Sequence, residues 1–141
     1  MNEQIKEYID KYPSDIIAMY NDLRNLIFDS ISSEPQEMMW AKLPTYYVGE
    51  SFVRLIPFKD HINIEAKAVS QNTEMLLGYK VTPKGMLQIF LKQDIPADVL
   101  KKIFVETLGW HIPNLWRVWK RKKIIILRGA NLWIKNGQKW I

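Results

Sequence analysis

The chain has 141 residues, of which 48% are hydrophobic and 25% charged, with a net charge of +5 and no cysteine. That balance belongs to a chain that buries a core and excludes disorder as the default. The missing thiols exclude disulfides, thiolate metal cages and cysteine nucleophiles together.

The opening MNEQIKEYIDKYP lacks a basic stretch followed by an apolar one, so no signal peptide is expected. No apolar run approaches the roughly 18 residues of a membrane-spanning helix, and a cytoplasmic location is the expectation. Residues 3 to 12 place Ile5, Tyr8, Ile9 and Tyr12 on one helical face, and Pro13 stops that helix. Ser14 is the expected N-cap of a second helix, with Asp15 at the positive end of its dipole. Ile16, Met19, Tyr20, Leu23, Leu26, Ile27 and Ile31 carry its apolar stripe to about residue 31, before Ser32, Ser33 and Pro35.

The period then changes. Tyr46 to Val48, Phe52 to Phe58 and His61 to Glu65 read as strands, with Gly49-Glu50 and Lys59-Asp60 as hairpin turns. Residues 72 to 77 form one helical turn or two. Gly78 to Val81 and Met86 to Leu91 read as two further strands joined by Thr82-Pro83-Lys84-Gly85. Pro96 opens a last helix with Val99, Leu100, Ile103, Phe104 and Leu108 on its buried side. Helices, an antiparallel meander and a helix, in that order, predict an α+β fold.

The end of the chain differs in kind. Residues 1 to 106 hold 12 Lys and Arg against 15 Asp and Glu; residues 107 to 141 hold eight Lys and Arg, no acid and five of the six tryptophans. Residues 1 to 108 are read as the α+β domain and 109 to 141 as a basic, Trp-rich extension. Within it Leu115 to Lys122 is open between helix and strand. Lys123 to Leu127, Leu132 to Lys135 and Lys139 to Ile141 read as short strands, the last two around an Asn136-Gly137 turn.

Several spaced segments carry a family likeness: IKEYIDKYP, Leu43-Pro44-Thr45, Phe58-Lys59-Asp60-His61-Ile62, Gly78-Tyr79-Lys80, Lys84-Gly85 and Ile95-Pro96. Over roughly residues 3 to 108 the chain resembles the YdhG-like family of small bacterial domains, described as frataxin-like iron chaperones. The resemblance implies a helix-flanked antiparallel sheet, no established catalytic residues, labile iron as the cargo and iron-receiving proteins as partners. The tail has no counterpart in that pattern.

Three constellations are candidates for function. Glu3, Glu7 and Asp10 form an acidic stripe on the first helix, suited to weak iron binding, with Asp15 and Asp22 as further members of the ridge; Lys6 and Lys11 flank it. On the strands, alternation places His61, Asn63 and Glu65 on one face, with Arg54 and Gln88 on the same side and Trp40 near, a site for a small ligand or metal. The plain alternative is the polar outer face of any one-sided sheet. In the tail, Trp116, Arg117, Trp119, Lys120, Arg121, Lys122 and Lys123 interleave aromatics with cations, a pattern for nucleic acid or another polyanion, against packing or a homodimer interface. No Gly-x-Ser-x-Gly elbow and no Gly-rich phosphate loop is present. The expected function is therefore a non-enzymatic binding protein handling iron. Polyanion binding through the tail and metabolite binding or catalysis on the polar sheet face are the alternatives.

Overall fold

A computed structural model describes residues 1 to 109; the expected tail helix and strands, the Asn136-Gly137 turn and the basic cluster Arg117, Lys120, Arg121, Lys122 and Lys123 lie outside the described residues.

The first helix, α1 (Glu3–Ile9), starts because the Asn2 side chain accepts from the N–H groups of Gln4 and Ile5 at 2.8 and 3.2 Å. It buries Ile5 and Ile9, one turn apart, and leaves Tyr8 and Tyr12 half-buried at its rim. The second helix, α2 (Ser14–Ser30), is not capped by Ser14: Pro13 holds the cap position, and Ser14 is already helical. Proline has the extended ψ of a cap and no N–H to lose there, and its carbonyl accepts from Ile16 and Ile17 at 2.9 and 3.0 Å. Ile16, Met19, Tyr20, Leu23 and Ile27 bury the expected stripe.

Six strands follow: β1 (Gln36–Trp40), β2 (Leu43–Val48), β3 (Ser51–Pro57), β4 (His61–Ala66), β5 (Lys80–Val81) and β6 (Leu87–Phe90). All pairings are antiparallel, in the order β1-β2-β3-β4-β6-β5. The fold is α+β, as expected, but the sheet is not a simple meander, since β6 pairs with β4 and leaves two-residue β5 at the edge. The unexpected strand is β1. Its sequence, QEMMW, has little β-propensity and no alternation, and it forms by pairing with β2 across a two-residue turn. That turn, Ala41-Lys42, holds both residues at positive φ, 53° and 67°, as a tight hairpin demands, without the Asn or Gly that would announce it. Gly49, at φ 63°, makes the expected next turn, and the Phe58 N–H donates to the His61 carbonyl at 2.8 Å across the one after.

Between β4 and β5 the helical turns come earlier than expected, as 3-10 turns at Lys67–Gln71 and Thr73–Met75. The last helix, α3 (Ala97–Phe104), widens into a π turn over Val105–Gly109. One continuous core joins Ile5, Ile9 and the α2 stripe to Val53, Leu55, Ile62, Ile64, Leu87 and Ile89 of the sheet and to Leu100, Ile103, Phe104 and Leu108. Among the described residues no helix is long and apolar enough to cross a membrane.

Candidate functional site: the outer face of the sheet

Because strand side chains alternate, each inward residue of the core has an outward neighbour. The pairing register sorts those outward residues into rows. Met38, Thr45, Arg54 and Glu65 form one row, Asn63, Gln88 and Lys80 with Ile56 the next, and His61 with Phe90 a third. The expected sharing of one face by Arg54, His61, Asn63, Glu65 and Gln88 is what the register produces. The alternative, an ordinary polar face, does not foresee the aromatic rings that flank Arg54 and His61 on it.

Arg54 is the centre of the first row. Its guanidinium lies 4.4 Å from the Trp40 ring centroid and 4.7 Å from that of Phe52. It donates to Glu65 at 3.0 Å through Nη1 and to the Thr45 hydroxyl at 3.3 Å through Nε. Trp40 reaches it because the Ala41-Lys42 turn ends β1 with the indole on this side, where it stays 50% exposed. His61 repeats the arrangement in the third row. Its imidazole stacks between Phe58 and Phe90, at centroid distances of 4.5 and 4.6 Å, and bonds Asp60 Oδ1 at 2.7 Å. Phe58 is 41% exposed.

Between these two stacks lies Asn63. Only 8% of its surface stays accessible, its Nδ2 meets only the Met86 sulfur at 3.9 Å among the described residues, and its Oδ1 has no partner among them. A buried acceptor left unpaired costs about 1–3 kcal/mol, and such a group is completed by an ordered water or by a ligand. Gln88 stands directly opposite on β6, which puts two carboxamides side by side.

Where β3 and β4 leave the sheet, a cavity of about 570 Å³ opens next to Phe52 and Glu65. Lys67, Lys84, Ser70 and the Thr107 hydroxyl also line it. Thr107 Oγ1 accepts from the Ala68 N–H at 3.1 Å, which leaves its proton free to donate.

The inner face has its own polar group, of another character. Tyr20 and Tyr46 hydroxyls meet at 2.6 Å, Tyr46 donates to Glu37 at 2.9 Å, and Arg24 grips Glu37 at 2.5 and 3.1 Å, with the Asn2 N–H at 2.9 Å. Burial pushes the Glu37 carboxyl up, but these donors outweigh it and hold it below the usual carboxylate range. Burial raises both tyrosines far above their ordinary value. Every member is used, and the group ties α1, α2, β1 and β2 together.

The acidic stripe is arranged differently from the sheet face. Glu3, Glu7 and Asp10 are exposed on α1, and Asp10 is bonded by Lys6 at 3.0 Å. Asp15 and Asp22 lie on α2 and line a shallow depression of about 300 Å³ with Leu91, Gln93 and Ile95. Among the described residues no three His, Asp or Glu side chains gather closely enough to hold a metal ion.

Sequence reasoning named Trp40, Arg54, His61 and Glu65 and missed the other rings, Phe52 against Arg54 and Phe58 and Phe90 against His61. Phe52 was findable, since Phe52 and Arg54 share a face by alternation. Phe90 was not, because only the β4–β6 register brings it to His61. Lys67 was missed for the same kind of reason, being ordered by the 3-10 turn that follows β4. No protein-family profile, curated protein or solved structure matches the chain.

Proposed function

We propose that this chain is a non-enzymatic binding module that takes a planar, hydrogen-bonding ligand on the outer face of its sheet. The observation that carries the reading is Asn63: a buried carboxamide whose oxygen has no partner among the described residues, set between two stacks of planar side chains. Aromatic rings and a stacked guanidinium favour a flat π-system, and a fixed carboxamide selects one with a donor at its edge. The clamps also hold Arg54 and His61 in place before any ligand arrives, which lowers the ordering cost of binding.

The test is two-dimensional amide NMR against a panel of purines, pyrimidines and aromatic acids. Shifts should fall on Trp40, Phe52, Arg54, Asn63 and Gln88 and vanish in Asn63→Leu, whose own spectrum stays dispersed. Ferrous iron is the rival arm, since the family resemblance points to iron cargo on Glu3, Glu7 and Asp10. Metal-dependent changes confined to α1, with a sheet face silent to every organic ligand, would replace this reading with that one.

A further inference from the structure

The cavity beside Phe52 and Glu65 begins where the sheet face ends, and the residues leading into it change chemistry in a fixed order. Asn63 and Glu65 point to the same side of β4, and Lys67 follows at the same spacing on the turn that leaves it. A carboxamide, a carboxylate and an ammonium thus stand in succession, with about 7 Å between the first two by strand geometry. That step is comparable with the reach of a sugar between a base and its phosphate.

Resting on the reading of the face as a binding surface, we infer that the ligand is a phosphorylated nucleoside, with its base on the sheet and its phosphate in the cavity. The base lies against the exposed rings with its edge on the Asn63 and Gln88 carboxamides, the residue types whose paired donor and acceptor match a nucleobase edge. Glu65 uses one oxygen on Arg54, at 3.0 Å, and its carboxylate has further acceptor positions for the sugar hydroxyls, as acidic residues do for ribose elsewhere. The phosphate meets Lys67, Lys84 and the Thr107 and Ser70 hydroxyls. Glu50 at the cavity mouth opposes an anion; the Glu65 charge does not, because Arg54 offsets it. Gly85, at φ 88° with open space where a Cβ would stand, lets the Lys84 turn border the cavity without filling it.

Calorimetric titration of the full chain with four ligands separates the parts: a nucleoside, its 5′-monophosphate, its 2′,3′-dideoxy analogue and inorganic phosphate. The monophosphate should bind at least tenfold more tightly than the nucleoside, and the dideoxy analogue more weakly than both. The double variant Lys67→Ala, Lys84→Ala should bring the monophosphate down to the nucleoside's affinity and leave the nucleoside unchanged. Both lysines are exposed, so the variant should fold, and an unchanged thermal midpoint verifies it. Equal affinity of nucleoside and monophosphate, or a phosphate advantage that survives the double variant, overturns the inference. So does tighter binding of a single-stranded oligonucleotide by the double variant than by the parent, since that places the phosphates elsewhere. Binding of other flat ligands on the face with no nucleoside binding also overturns it and leaves the broader reading standing. A face silent to every ligand removes both.

Discussion

The two faces of this sheet are made by the same strands and carry polar groups to similar depth, yet they treat them in opposite ways. On the inner face the Tyr20, Tyr46, Glu37 and Arg24 group is closed: each hydroxyl, carboxylate oxygen and N–H used there has a protein partner. On the outer face Arg54 and His61 are clamped between rings, and the Asn63 carboxamide between them keeps an acceptor with no partner among the described residues. Polarity alone therefore does not separate the two faces of this molecule; closure does. A satisfied network fixes the arrangement of α1, α2 and β1, whereas an unsatisfied one retains capacity for a further partner.

If that distinction is right, substitutions on the two faces should separate stability from binding. Leu55→Ala empties a fully buried inward position and should cost about 2–5 kcal/mol by chemical denaturation, with the ligand-shift pattern unchanged. Glu37→Gln leaves Arg24 without its carboxylate and should cost about 1–3 kcal/mol, again sparing the outer face. Its pH dependence sharpens the point. The folded carboxyl sits below its ordinary 4.5, so its contribution is present above that pH and is lost as pH falls through the folded value. Acid titration of stability should show that loss in the parent and lack it in Glu37→Gln. Trp40→Ala removes one ring from Arg54 and should cost only about 0.5–1 kcal/mol, while weakening every ligand of the face. Asn63→Leu should change stability by no more than about 1 kcal/mol in either direction, because it removes an acceptor that has no partner among the described residues, and should abolish the proposed binding. A large destabilisation by Asn63→Leu would make the outer face structural after all and dissolve the contrast.

The sequence disclosed the helices well, because α1, α2 and α3 follow the helical period and their buried residues are those the stripes name. It disclosed β3 and β4 by alternation and β-branched content. It hid β1, whose existence depends on pairing with β2 across a turn made of Ala and Lys, and it hid the placement of β6 between β4 and β5. The candidate site divides along the same line. Arg54, His61, Asn63 and Glu65 follow from period two, and Trp40 was placed near them. The stacking of Phe58 and Phe90 on His61 and the cavity beside Lys67 depend on register and on irregular turns, for which a single chain offers no periodic signal. The α1 acidic stripe was legible for the converse reason: helical spacing predicts a shared face but says nothing about whether the acids on it converge.

The Ala41-Lys42 turn has a consequence for how this protein can change. Two side-chain-bearing residues sit in the left-handed region, at a cost of about 1–2 kcal/mol each relative to ordinary backbone. Lys42→Gly relieves one of them without touching the core and keeps the turn that sets Trp40 beside Arg54, because Lys42 is exposed and glycine adopts the conformation already present. A gain of about 1 kcal/mol would raise the thermal midpoint by roughly 4 °C for a chain of this size. The chain thus has mutational headroom at an exposed turn position outside its core. Substitutions in the Arg54 and His61 stacks that cost stability can be compensated there by a single change.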